Sequence, residues 1–195
     1  MLTIYGNHLS GNCHKVRFVR DRLAIPYRWI EIDVLKNETR MPEFLAINPA
    51  GQVPVVVLED GRPLAQSNAI MLYLADGSDL IPTDAYDRAL MTQWLFWEQY
   101  SHETAIAVRR FHAFLLKKPD SEIDPLLTEK GQRALRVMET HLSTRRYFVS
   151  ERLTLADLAL VAYTRFAHEA GFDLGAYPHV GAWVRRVEAD LGLTS

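Results

Sequence analysis

Gly51-Gln52-Val53-Pro54-Val55-Val56-Val57, and after it Gln66-Ser67-Asn68-Ala69-Ile70-Met71-Leu72-Tyr73-Leu74-Ala75, decide how the rest of the chain is read. Val53-Pro54 opens a β-branched run that reads as a buried strand. Glu59-Asp60-Gly61 supplies a turn, and Ser67 is placed to cap the apolar helix behind it. Proline cannot donate to a ladder, so the backbone groups of Val53 beside it are left for another partner. A helix starting at Ser67 presents N–H groups and the positive end of its dipole, which suits a carboxylate. Together these features suggest a site for a small, anionic, peptide-like ligand, although each is also a common structural device.

Leu2-Thr3-Ile4-Tyr5 reads as a short strand ended by Gly6-Asn7, and Ser10-Gly11-Asn12 as a turn. Val16, Val19 and Leu23 keep helical spacing in a helix from Cys13 that Pro26 stops. A second strand is expected over 27–34, a short helix over 41–47 closed by Asn48-Pro49, strands over 54–58 and near Arg62-Pro63-Leu64, and a helix from 67. The order βαβαββα is thioredoxin-like. From Asp76 to Asp84 turn formers dominate, and every later element reads as helix: an apolar pattern over 85–116 broken by Lys117-Lys118-Pro119-Asp120, then 126–143, a helix from Thr154, and one after Pro178. The expected class is therefore α/β plus all-α, with an N-terminal domain over 1–76, a linker over 77–84 and a helical domain over 85–195.

Thr154-Leu155-Ala156-Asp157 has the spacing of a capping box, with Leu153 and Leu158 as a hydrophobic staple. Physics assigns it to helix initiation and not to catalysis.

Composition narrows the function classes. A formal net charge of −2 gives no global electrostatic reason to expect nucleic acid or a membrane surface as partner. Cys13 is the single cysteine, so no intrachain disulfide forms, which fits a reducing compartment. Met1-Leu2-Thr3 opens no signal peptide and no apolar run has transmembrane length, so a cytoplasmic location is expected. The seven histidines form no i, i+4 ligand pairs and there is no cysteine pair, so no metal site is expected.

Asn48-Pro49-Ala50-Gly51-Gln52-Val53-Pro54-Val55, with Gln66-Ser67-Asn68-Ala69-Ile70 and Tyr73-Leu74, resembles the glutathione-binding half of cytosolic glutathione S-transferases. The Thr154–Asp157 motif resembles the buried capping box of their helical half. The likeness covers essentially the whole chain and points to a bacterial member, serine-type or related to the nu, beta or theta-like classes. It implies that Pro54 is cis, that Val53 pairs through its backbone with the cysteinyl part of glutathione, and that Gln66 and Ser67 hold the γ-glutamyl end. It also implies a homodimer, and glutathione as co-substrate with no other cofactor. The activity would be attack of the glutathione thiol on a small electrophilic, hydrophobic substrate, a detoxification chemistry.

Such enzymes lower the thiol pKa with one hydrogen-bond donor near the end of the first strand. The resemblance nominates Ser10, which stands beside a helix N-terminus that favours an anion. Asn12 is the alternative donor. Tyr5 reads as core, and Cys13 either as a buried helix residue or as the redox thiol of cysteine-bearing classes. Lys36, Arg40 and Gln52 are candidates for the glycyl carboxylate. The chain departs from many relatives, which carry Glu in place of Gln66 and Lys in place of Gln52. An uncharged Gln66 weakens the contact to the ligand's amino group. The second substrate is expected between the domains, along the first long helix, where Tyr100, Thr104 and Arg109 lie at four- and five-residue steps. Two other readings stand beside conjugation: a glutathione-dependent disulfide reductase or peroxidase, and a non-catalytic binding protein of the same fold.

Overall fold

Leu2–Gly6 alternates buried and half-buried side chains, and the strand it forms, β1, has a partner on each side. A parallel neighbour needs a crossover. Helix α1 (Gly11–Arg22) supplies it and leads to β2 (Tyr27–Glu31), parallel to β1. After α2 (Pro42–Ile47), strand β3 (Val55–Val57) returns antiparallel on the other side of β1, and β4 (Pro63–Ala65) pairs antiparallel with β3. Pro63 is tolerated because β4 is an edge strand. Helix α3 (Ser67–Leu74) completes a four-stranded thioredoxin-like sheet in the order β2-β1-β3-β4. Ile4, Val16, Val56 and Ile70 are fully buried together with Leu2 at its core.

This computed structural model describes residues 1–193, which divide into a unit over Met1–Ser78 and a second from Asp79 onward. Within the first unit several boundaries differ by a residue or more from the sequence reading, and three of them have a clear cause. α1 begins at Gly11, because the Ser10 carbonyl already accepts from Cys13 N (3.1 Å) and His14 N (3.0 Å). β2 stops at Glu31, since β1 ends at Gly6, with one last bond from Ile32 N to the Gly6 carbonyl at 2.8 Å. β3 starts at Val55, one residue past the proline.

The second unit is helical. Asp84 caps α4 (Ala85–Trp97) by accepting from the backbone N–H groups of Tyr86 and Asp87. The pattern expected as one helix over 85–116 contains two π turns, at Glu98–His102 and Phe111–Leu115, flanking α5 (Glu103–Arg110). A single wide turn advances the buried stripe by only about one residue, so the apolar periodicity carries no trace of it. Next come α6 (Pro125–Leu142), α7 (Leu155–Thr164) and α8 (Pro178–Asp190). All ten residues of α7 are buried.

At the start of α7 the capping box is closed, and its carboxylate does more than cap. Asp157 Oδ2 accepts from the Thr154 N–H and hydroxyl, both at 3.0 Å, while Oδ1 accepts from Phe148 N (3.1 Å) and Trp183 Nε1 (2.9 Å). The side chain is completely buried. Burial pushes its carboxyl up to about 6, against four donors that favour the charged form.

Candidate functional site

The strand register brings the separate motifs together. Tyr5 of β1 faces Val55, and Val55 faces Ala65 of β4. The ladder ends there, and because β3 runs antiparallel to β1 and β4, Val53, which precedes β3, and Asn7 and Ser67, just past its partners, lie toward the same end of the sheet. The Val53–Pro54 peptide bond is cis. Among the described residues the backbone N–H and C=O of Val53 take no partner from the chain.

Asn7 builds the turn that carries Ser10. Its Nδ2 donates to the Ile32 carbonyl (3.0 Å), its Oδ1 accepts from Leu9 N (3.0 Å), and its carbonyl accepts from Ser10 N (3.0 Å). An Asn after a strand-ending Gly was the only sequence signal for this role. Ser10 occupies the N-cap position of α1 with extended backbone angles, φ −82° and ψ 121°, yet its side chain makes no capping bond. Its hydroxyl is turned toward the Cys13 thiol instead.

Ser67 differs from its expected place. Gln66 holds the N-cap position with a left-handed φ of 70°, so Ser67 falls inside the first turn of α3. There its hydroxyl donates to Asn12 Oδ1 at 3.2 Å, joining the starts of α1 and α3 across 55 residues. Ser67 is buried and the Gln66 side chain is exposed. The two candidate donors, Ser10 and Asn12, and the candidate ligand-binding Ser67 therefore share one end of the sheet.

Cys13 and Tyr5 are packing residues. The Cys13 side chain is completely buried and its Sγ accepts from Asn7 N at 3.3 Å. Burial pushes the thiol up to about 11, which leaves almost no thiolate near neutral pH. Tyr5 meets Phe44 edge to face at 6.4 Å.

The candidates for a glycyl carboxylate lie on two loops. Arg40 reaches the 50–52 loop, donating to the Ala50 carbonyl at 3.4 Å, and packs against Gly51. Gly51 has φ +61°, which glycine adopts without strain, and a Cβ there would come within 2.5 Å of the Arg40 guanidinium and 3.0 Å of the Thr39 carbonyl. The Gln52 side chain is exposed, and its carbonyl accepts from Asn48 Nδ2 at 2.8 Å. Lys36 is exposed and paired with Asp33 at 3.1 Å.

In the helical unit Tyr100 is highly exposed, and the Thr104 hydroxyl donates back to the Tyr100 carbonyl at 2.8 Å. Arg109 does not share their face. Five residues at about 100° each place it roughly 140° round from Thr104. It is buried, bonding Thr128 Oγ1 (2.9 Å), the Ala170 carbonyl (2.7 Å) and Asp120 Oδ1 (2.9 Å). Its role is to tie the 120 and 170 turns to α5.

Among the described residues no group of three or more His, Cys, Asp or Glu side chains is arranged to hold a metal ion, and no helix is long and apolar enough to cross a membrane.

Comparison with known proteins agrees with this arrangement in both halves. Residues 9–76 match the family described as glutathione S-transferase, N-terminal domain, and residues 96–190 its C-terminal domain. Glutathione S-transferase 3 of Zea mays is 30% identical over 96% of this chain and 89% of its own length. A glutathione S-transferase from Pseudomonas fluorescens Pf-5 superposes with a TM-score of 0.93 at 44% identity, covering 96% of this chain and 94% of that one. A possible glutathione S-transferase from Rhodopseudomonas palustris is equally close, with a TM-score of 0.93, 44% identity and the same coverage, 96% and 94%. The thioredoxin-like sheet, the helical half and these likenesses along nearly the whole length show that the chain belongs to the glutathione S-transferase family.

Proposed function

We propose that the protein is a glutathione transferase in which Ser10 donates a hydrogen bond to the glutathione sulfur. The observation that carries this reading is the Ser10 hydroxyl, which stands at a helix N-terminus and takes no part in capping it. A thiolate there gains from the donor and from the positive end of the α1 dipole, and a thiolate is the attacking species. Asn12 is the second candidate donor. The Val53 backbone beside Pro54 pairs with the peptide part of glutathione. Ser67 and Gln66 take the γ-glutamyl end, and Arg40, Gln52 and Lys36 are the groups within the first unit that serve the glycyl carboxylate.

In this reading residues 1–76 bind glutathione, 77–84 form a linker, and 85–195 carry the second-substrate side, with Tyr100 and Thr104 as its exposed candidates. The product is a thioether of a small hydrophobic electrophile, the protein works as a cytoplasmic homodimer, and the chemistry is that of detoxification. One feature favours a second reading. Uncharged Gln66 replaces the acidic residue that would pair with the ligand's amino group, which favours a binding protein with weak or no turnover.

Calorimetric titration with reduced and oxidised glutathione, on the protein and on Ser67→Ala, tests the site. Binding of reduced glutathione that Ser67→Ala weakens, together with conjugation of chlorodinitrobenzene, supports the transferase. Binding without turnover selects the second reading, and preference for the oxidised form selects disulfide reduction. Binding of neither form removes the glutathione site.

A further inference from the structure

The turn that carries Ser10 repeats, with one change, the device at the start of α7. Ser10-Gly11-Asn12-Cys13 has the spacing of Thr154-Leu155-Ala156-Asp157, a hydroxyl at the N-cap and an acceptor at the third helical position. At α7 that acceptor is a carboxylate, which takes both the Thr154 N–H and the Thr154 hydroxyl at 3.0 Å. At α1 it is the Cys13 sulfur, and the two Ser10 donors part. The Ser10 N–H goes to the Asn7 carbonyl at 3.0 Å, while the Ser10 hydroxyl meets the sulfur. Sγ also accepts from Asn7 N at 3.3 Å, so Asn7 closes this turn from both sides.

Sulfur in place of a carboxylate changes how firmly the hydroxyl is held. A carboxylate makes charge-assisted bonds about twice as strong as neutral ones, whereas a thiol sulfur is a weak acceptor. Complete burial keeps Cys13 a thiol, outweighing the bonds from Asn7 and Ser10 that favour the charged form. Two charged groups act on it, Glu31 against ionisation and Arg17 in favour, and neither reverses the effect of burial. Ser10 has a single hydroxyl proton. A charged thiolate is a stronger acceptor than the neutral sulfur of Cys13 and takes that proton over.

We propose that Cys13 is a positioning residue for the thiol chemistry: its sulfur holds the Ser10 hydroxyl before glutathione binds and yields it to the ligand's sulfur, so that the acceptor at position 13 sets how much of the Ser10 bond reaches the thiolate. This rests on the transferase reading above. One sulfur acceptor replaces another at the same donor, no bond to Cys13 forms, and Cys13 remains a thiol throughout. The stabilisation that the thiolate gains from Ser10 is partly offset by the loss of the resting contact. Removing the sulfur therefore weakens the fold and strengthens the thiolate, two effects of opposite sign that packing alone does not produce.

The test measures the thiolate fraction of bound glutathione by its ultraviolet absorbance across pH, and kcat/KM for chlorodinitrobenzene, in the wild-type protein, Cys13→Ala and Cys13→Val. Neither replacement accepts a hydrogen bond, and valine fills the space that alanine leaves empty. Both leave the Asn7 N–H without its acceptor, so the melting temperature falls. Below the apparent pKa of the bound thiol, the thiolate fraction and kcat/KM nonetheless rise about two- to fivefold, as the loss of one weak competing hydrogen bond requires. In the Ser10→Ala background the same replacements change neither reading, because no hydroxyl is left to release. A rate that falls together with stability, an unchanged thiolate fraction, or a gain that persists in Ser10→Ala overturns the proposal and leaves the transferase reading standing. Absence of glutathione binding by the wild-type protein removes the transferase reading, and the proposal falls with it.

Discussion

Two helix starts in this protein are built from the same kind of residue and bonded in opposite ways. At α7, Thr154 and Asp157 are sealed from solvent, and Asp157 satisfies donors from its own helix, from the Phe148 backbone and from the Trp183 indole. At α1, Ser10 also holds the N-cap position, yet its hydroxyl caps nothing. A helix start that folds the protein has its polar atoms consumed internally. At α1 the Ser10 hydroxyl meets the Cys13 thiol and not the helix backbone, Asn7 does the structural work of the turn, and the proposed function gives that hydroxyl to a ligand.

The largest effect expected from this contrast is at α7. Asp157→Ala leaves buried donors of Thr154, Phe148 and Trp183 without an acceptor, and each unsatisfied group costs about 1–3 kcal/mol. A loss of about 3–5 kcal/mol in urea unfolding is expected. A loss under about 1 kcal/mol, within the range of an ordinary cap, would erase the distinction between the two sites. Ser10→Ala reverses the pattern. Conjugation falls by one or more tenfold steps, each about 1.4 kcal/mol, while the unfolding midpoint stays within the scatter of a surface substitution. An unchanged rate would transfer the donor role to Asn12, which the same assay on Asn12→Ala reads directly.

Protonation sharpens the comparison further. The Asp157 carboxyl is raised from 3.8 to about 6 on folding, so the folded state holds the proton more tightly than the unfolded chain. Its contribution is fully present below the unfolded value and is lost as pH rises through about 6. The stability of the wild-type protein relative to Asp157→Asn is therefore expected to decline between about pH 4 and 6, by about 3 kcal/mol at most, and to level off above. A difference that grows with pH would mean that the four donors, and not burial, govern this carboxyl. The smallest effect belongs to Cys13. Mass spectrometry after iodoacetamide at neutral pH should find it unmodified in the folded protein and modified in urea; rapid labelling in the folded state would return it to the list of functional thiols.

Much of this was legible in the chain itself. The period-two and period-3.6 patterns gave the βαβαββα order and the helical half, because those elements bury one face and repeat their apolar residues accordingly. The Thr154–Asp157 spacing read as a capping box because a cap is a local device. What escaped the sequence depends on distant partners or on single dihedral angles. The left-handed φ of Gln66 moved Ser67 one place into α3 and aimed its hydroxyl at Asn12. Arg109 looked like a residue on the exposed face of a long helix, until Thr128, Ala170 and Asp120 drew it inward.

Because every residue of α7 is buried, that helix has no outward surface on which change can accumulate without disturbing the packing around it. Novelty in the helical unit is pushed instead onto segments with an outer side, such as the exposed positions Phe96 and Tyr100. The most protected helix is thus the one with the least freedom to diversify, and it sets the limits within which its neighbours are free to vary.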